Sequence, residues 1–329
     1  MDLTNKRILL FAPAFFNYEK RIVNRLLEMG ATVDFYDERP SNNLFVKAAI
    51  RYFPLLVRPL VAKYYRNIAA EVGGRTYNYI LIINMETMRK IITRRLRRGF
   101  PEAEMILVLW DPLYYKPRAK QVLKRFDRVF SFDEGDCRQN RHIRFLPDFY
   151  LEEYANAARV KEYKYDVGFV GTAHTDRYRT LRKIKKVLEK DNMKLCVKLY
   201  FYSVFNYYLC RLFHWDFVGA KRKDFVFSPM TAAEIADIYG SSRIVIDIES
   251  PHQQGITMRT IEILAARRKM ITTNANVRNY DFYNENNILI ISKENPIIPS
   301  AFLTSPYEEL SEEIYEKYSL NSWLKQILM

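Results

Sequence analysis

Between Asp247 and Asn274 the chain gathers residues whose types and spacing suit a phosphorylated ligand: Gln254, Gly255, Thr257, Arg259 and Glu262. Thr257, Met258 and Arg259 stand where a helix opens after a glycine. Their backbone N–H groups therefore lack intrahelical partners and lie at the positive end of the helix dipole. Such an end binds anions, phosphates above all. The Arg259 guanidinium adds a charge that persists at any working pH, and a fork able to grip two phosphate oxygens at once. Glu262 follows Arg259 by three positions, and on spacing alone the two also read as a solvated helix ion pair worth roughly 0.2–0.5 kcal/mol.

What separates these readings is the set of elements that would position the residues. The β-branched run from Arg243 to Ile248 reads as a buried parallel strand. A polar turn follows, comprising Ser250, Pro251, His252, Gln253, Gln254 and Gly255. Ile256, Ile261, Ile263, Leu264 and Ala265 then form the apolar face of a helix, with Arg267, Arg268 and Lys269 at its C-terminal end, where cations suit the dipole. Met270 to Thr273 is the next strand. Strand, loop, helix and strand in that order form the unit at which open α/β sheets bind nucleotide phosphates.

This stretch resembles the donor-sugar signature of GT-B glycosyltransferases, in which two acidic residues with seven between them open a helix of the C-terminal domain. Glu262 matches the second acid, which the resemblance assigns to the nucleotide ribose. Gln254 stands at the first, near the sugar hydroxyls, as an amide in place of a carboxylate. The helix start, with Gly255, Thr257 and Arg259, would hold the diphosphate. The form G-I-T-M-R-T-I-E is similar to the branch found in lipopolysaccharide and capsule biosynthesis and in spore maturation, where an arginine precedes the glutamate by three. The resemblance implies an α/β protein of two Rossmann-like domains facing across a cleft.

The rest of the chain has room for that plan. Tyr165 to Val170 is a strand, residues 171–176 a loop, and Arg177 to Glu189 a basic helix. The run V-G-F-V-G-T resembles the glycine-bearing first loop of a GT-B donor domain. Gly171 lets the backbone approach a phosphate closely. Thr172, His174 and Arg177 join it as donor-binding candidates, although a lone His in a polar loop reads equally as an exposed residue. In the other half, Lys6 to Phe11, Glu19 to Met29 and Thr32 to Tyr36 make a βαβ start whose loop, residues 12–18, has no glycine, so this half is expected to hold the acceptor. Asp111 ends the apolar strand from Met105 to Leu109. It is a candidate catalytic base beside Arg259, or else a helix N-cap or turn residue before Pro112. The expected domains are 1–155 and 163–304, with a polar linker over 150–164. Residues 305–329 are expected to return to the N-terminal domain, led by an acidic helix over 305–318.

With 329 residues the chain suits two α/β domains, and its net charge of +14 implies an acidic partner. From Phe45 to Arg98, twelve Lys or Arg stand against Glu71 and Glu86, a net of +10. Phe45, Tyr52, Phe53, Leu55, Leu56, Leu60, Tyr64 and Tyr65 are interleaved there, in a helical stretch broken at Pro54 and Pro59. The segment suits an anionic membrane surface, or is a solvated face over an aromatic core. No recognised motif supports nucleic acid as a partner.

Three cysteines without a C-x-x-C pair argue against a disulfide framework or a zinc site. The opening residues lack a signal peptide's apolar stretch, and no run reaches the ~20 residues of a membrane span. The expectation is a cytoplasmic protein, peripheral on the inner face of the cell membrane. It would need no cofactor and no metal, since no D-x-D ends a strand, the nearest run being Asp247-Ile248-Glu249 inside the donor unit. A nucleotide sugar would be its donor substrate, a glycan or glycolipid its acceptor. The rival class is a non-enzymatic basic protein that binds a membrane surface or nucleic acid.

Overall fold

Two six-stranded parallel sheets organise the chain, one in each of two units: Met1–Pro147 with Trp323–Met329, and Asp148–Ser322. The computed structural model describes all residues except 15–16, 174–175 and 251–253, and the side chains of Leu44, Arg51 and Pro117.

The first unit runs β1 (Arg7–Ala12), α1 (Tyr18–Glu28), β2 (Thr32–Asp37), α2 (Leu44–Tyr52), α3 (Arg58–Glu71), β3 (Tyr79–Ile83), α4 (Lys90–Gly99), β4 (Glu104–Leu109), α5 (Pro117–Lys120), β5 (Arg128–Ser131), α6 (Glu134–Gln139) and β6 (Ile143–Phe145). The sheet order is β2-β1-β3-β4-β5-β6, every pairing parallel. A parallel sheet is covered on both faces, which is why β3 and β4 read as unbroken apolar runs. One of those faces is the core of Leu9, Phe11, Ile80, Ile82, Leu107 and Leu109. Strand order reverses between β1 and β3. Pro59 does not break a helix. It lies in the first turn of α3, where its missing N–H costs nothing.

The second unit runs α7 (Glu152–Ala157), β7 (Tyr165–Thr172), α8 (Arg177–Lys190), β8 (Leu195–Tyr200), α9 (Val204–Phe213), β9 (Phe225–Val226), α10 (Ala232–Gly240), β10 (Ser242–Asp247), α11 (Met258–Ala265), β11 (Lys269–Thr272), β12 (Ile288–Ile290), α12 (Ser300–Thr304), α13 (Glu312–Lys317) and α14 (Leu320–Leu328), whose residues from Trp323 onward belong to the first unit. Its order is β12-β11-β10-β7-β8-β9, again all parallel. Counted from β9 this is 3-2-1-4-5-6, the doubly wound order of dinucleotide-binding sheets, with its switch point between β7 and β10. Its core centres on Val167, Phe169, Ile184, Leu199, Ile244 and Ile246.

Three local expectations change. Residues 150–164 do not form a polar linker: Tyr154 and Ala157 of α7 are buried, and the first unit ends at Pro147, ahead of the boundary at 155. The cluster Arg267-Arg268-Lys269 does not close the helix in solvent. Helix α11 ends at Ala265, Arg267 takes a left-handed φ of 53°, and Lys269 opens β11. Arg268 is buried and donates to the carbonyls of Ala157, Val160 and Gly240, while Lys269 donates to Ser305 and lies over the Phe302 ring. Residues 305–311 are not helical, and acidic side chains of the expected helix pair within the second unit. Arg267 takes both Glu309 and Glu312, and Lys317 takes Asp281. What joins the first unit is apolar: Trp323, Leu324, Ile327 and Leu328 are buried, and Trp323 meets Trp110 at 6.5 Å. Burying four large apolar side chains, at roughly 1.5–3 kcal/mol each, outweighs exposed ion pairs worth about 0–1 kcal/mol.

Candidate functional site

At the switch point of the second unit, β7 ends in Gly171-Thr172 and β10 ends in Asp247, and helix α11 begins beyond them. Asp247 is wholly buried and is the hub. Its carboxylate accepts from Arg259 Nη1 at 2.9 Å, Thr257 Oγ1 at 3.0 Å, Thr260 Oγ1 at 2.7 Å and Thr272 Oγ1 at 3.4 Å. Thr257 is the N-cap of α11, its hydroxyl accepting from the Thr260 N–H. The helix start is thereby tied to the strand end through one carboxylate.

Arg259 is held twice more. Its Nε donates to the Val170 carbonyl at 3.0 Å, and the guanidinium lies over the Phe169 ring at 5.4 Å. A Cβ added to Gly171 would come within 3.0 Å of both Arg259 Nη2 and the Phe169 ring. The glycine therefore admits the guanidinium, a tighter requirement than the phosphate approach expected of it. Burial works against the Arg259 charge, but Tyr239, Asp247 and Glu262 outweigh it and raise its pKa. Arg177 is buried as well, donating from Nη1 to Thr172 O at 2.9 Å and from Nη2 to Ile248 O at 2.8 Å. Burial, and next the Arg259 charge, push its pKa down to about 9 against the pull of Asp247, Asp176 and Glu249. Two cations thus meet at the switch point, and Arg177 there staples the β7 loop to the end of β10.

Glu262 is buried on the inner side of α11 and hydrogen-bonds Tyr154 of α7. Burial first, and then this carboxylate, push the Tyr154 hydroxyl far above its usual range. Gln254 is exposed, with its carbonyl accepting from Asn276 Nδ2 at 2.8 Å, and the Gly255 carbonyl accepts from Asn274 Nδ2 at 3.1 Å. His174 and half of the polar turn, residues 251–253, lie outside the described residues.

Asp111 follows β4 in the first unit and caps no helix. Its Oδ2 accepts from Asn84 Nδ2 at 2.9 Å and meets Lys116 Nζ at 3.1 Å, and 44% of the side chain is exposed. Lys116 also donates to Glu86 at 3.0 Å, and Arg39 grips Glu86 at 2.7 and 3.1 Å. Burial opposes the Glu86 charge, but those two cations hold its pKa down to about 2. Nearby, the buried Glu38 accepts the N–H groups of Glu86, Thr87 and Met88 on Oε1, yet burial pushes it up to about 7.

Sequence reasoning passed over Asp247, Tyr154, Tyr239 and the network around Asp111. Asp247 had a readable signal, a lone carboxylate closing an apolar strand with T-M-R-T downstream. Tyr154 had none, because its partner lies over a hundred residues away.

No family model and no curated protein matches the chain in sequence. Solved structures match it in shape. Trehalose-6-phosphate synthase, studied for enzymatic glycosyltransfer with retention, superposes with a TM-score of 0.61 at 11% identity, covering 98% of each chain. The Anabaena protein HepE, in complex with UDP and glucose, does so with 0.54 at 10% identity and 98% of each chain. The lipopolysaccharide outer core galactosyltransferase WaaB, in its apo form, gives 0.57 at 10% identity over 98% of this chain and 99% of that one. The shared property is the fold, two Rossmann-like α/β domains of the GT-B class.

Proposed function

We propose that this protein is a metal-independent glycosyltransferase moving a sugar from a nucleotide-activated donor to a cell-surface polysaccharide or lipopolysaccharide intermediate. The observation carrying the reading is the convergence, at the β7/β10 switch point, of the Gly171 loop, the Arg259 guanidinium and the start of α11. Nucleotides bind at such switch points in doubly wound sheets. The N–H groups at the start of α11 and the Arg259 charge receive the diphosphate. Glu262 exchanges Tyr154 for the ribose hydroxyls, and Gln254 meets the sugar. HepE is solved with UDP and glucose and WaaB is a galactosyltransferase of the lipopolysaccharide outer core, which supports the donor and acceptor classes.

In the transfer, the bond from the sugar's anomeric carbon to the diphosphate oxygen breaks with its electron pair going to the leaving group. An acceptor hydroxyl oxygen bonds that carbon, and Asp111 takes the hydroxyl proton. Charge grows on the diphosphate as the bond breaks, so the fixed cation and oriented N–H groups favour the transition state over the ground state. This needs no metal or other cofactor.

Thermal-shift titration with UDP, GDP, CDP, ADP and their sugar conjugates tests the reading. One nucleotide should raise the melting temperature saturably, with about 2.7 kcal/mol of stabilisation at a hundredfold excess over Kd, and EDTA should leave this unchanged. A flat response to all of them overturns the reading in favour of a non-enzymatic basic protein.

Lipid-linked acceptors would be met at a bilayer, and the basic segment of the first unit supports a peripheral contact there. Among the described residues, nine cations between Phe45 and Arg98 pair with no carboxylate. Arg75 and Arg97 are the ones that do. Phe45, Leu55 and Leu56 around them are 85%, 72% and 77% exposed. Reversing Lys63, Arg66, Arg94 and Arg95 to Glu should abolish sedimentation with anionic liposomes at low salt and spare activity on soluble acceptors. Equal sedimentation leaves a solvated face.

A further inference from the structure

Helix α9 of the second unit turns outward the kind of face that an amphipathic helix ordinarily buries. Phe205, Tyr208 and Leu212 recur at the i, i+3, i+7 spacing of a single face, and that face points to solvent, with the three side chains 73%, 52% and 75% exposed. The opposite side holds the helix to the core through Tyr207, which is buried and donates its hydroxyl to the Ala220 carbonyl at 3.0 Å. Phe213 ends the helix, and beyond it the same surface continues in Trp215 and Val218, all three at least 66% exposed. Apolar groups gathered this densely on a surface mark a binding face.

The charges around the patch state which partner fits. Helix α9 carries no acid, and Arg211 stands on it, exposed. Lys221, Arg222 and Lys223 follow, exposed, and among the described residues none of these four cations pairs with a carboxylate. The two nearby acids are turned inward, Asp216 to Arg179 at 3.6 Å and Asp224 to the Tyr178 hydroxyl at 2.8 Å. A second copy docking here on a two-fold axis would set unpaired cations against their own duplicates. An anionic bilayer offers the complement: hydrocarbon for Phe and Leu, an interfacial zone for Trp and Tyr, and phosphates for the Lys-Arg-Lys run.

We propose that α9 and the turn to Val218 form an interfacial docking surface for anionic lipid, distinct from the basic segment of the first unit. The inference does not rest on the transfer reading, and donor binding holds or fails independently of it.

Trp215 supplies the readout, because it is 67% exposed while Trp323 is buried and Trp110, in the first unit, is only partly exposed. The full chain is mixed with vesicles of phosphatidylcholine and phosphatidylglycerol carrying brominated acyl chains. Trp215 emission should shift to the blue and be quenched, and the quenching should vanish in Trp215→Phe. Phe205→Ser with Leu212→Ser should raise the half-saturating lipid concentration at least about tenfold at an unchanged melting temperature. Lys221→Glu with Lys223→Glu, which disturbs no apolar contact, should raise it several-fold at low salt and less at high salt. Vesicle binding that leaves Trp215 emission unaltered overturns the proposal, since docking then lies elsewhere. So does a dimer in sedimentation velocity that the serine pair dissolves without any lipid quenching.

Discussion

Each unit closes a central strand with an aspartate, and the two have opposite surroundings. Asp247, the last residue of β10, is fully buried under three threonine hydroxyls and a guanidinium. Asp111, after β4, is 44% exposed and shares one oxygen between Lys116 and Asn84. The same residue type at the C-terminal end of a parallel strand thus meets two environments. The buried carboxylate fixes a guanidinium in place, whereas the exposed one stays open to solvent beside a lysine. Position at a strand end marks a site without assigning a role; burial assigns it.

Removing the two charges in turn tests whether burial is what separates them, and Asp247→Asn should have the largest effect. It leaves a buried guanidinium without its carboxylate, which costs roughly 3–5 kcal/mol. Asp111→Asn should cost under about 1 kcal/mol, as a half-exposed pair does, while lowering turnover. Urea unfolding of both variants with parallel kinetics decides. Equal stabilities would mean that burial does not separate the two aspartates.

Arg259→Lys comes next, with turnover expected to fall about a hundredfold, further than donor affinity. An ammonium cannot hold Asp247, the Val170 carbonyl and a phosphate together. Steady-state kinetics at saturating donor reads it, and parental turnover would reduce Arg259 to scaffold. Glu262→Gln should weaken nucleotide binding by about 1.5–3 kcal/mol in a calorimetric titration while folding is kept, since the amide preserves the shape and loses charge-assisted bonds to the ribose. Unchanged affinity would leave Glu262 serving Tyr154 alone.

The smallest expected effect extends the comparison to a buried carboxyl faced by N–H groups in place of a cation. Burial raises Glu38 to about 7, so the stability tied to its proton is complete below the usual carboxylate range and is lost as pH rises toward 7. The parent should therefore lose urea resistance between pH 5 and pH 8 (roughly 1–3 kcal/mol), and Glu38→Gln should flatten that slope. A parental slope in the variant would place the proton on another group.

The same contrast shows what could be read in advance. Strands β3, β4 and β10 were legible because two covered faces demand continuous apolar runs. The Gly171 loop, Arg259 and the start of α11 were each legible as local chemistry. Their meeting at one switch point depends on β7 pairing with β10 across seventy residues.

Short windows of sequence were enough for the alternation of buried strands and amphipathic helices, the strand-loop-helix unit that presents N–H groups to an anion, and a strongly basic N-terminal half. Side-chain period, capping chemistry and charge set those, and all three act over a few residues. Long-range packing had to supply the rest: that Asp247 is a hub, that Arg268 and Lys269 are buried cations, that α7 packs against α10 and α11, and that α9 turns its apolar face outward. Each of these depends on which distant carbonyl, carboxylate or ring occupies the facing space, and the cost of burying a charge or exposing a phenylalanine is set by that neighbour.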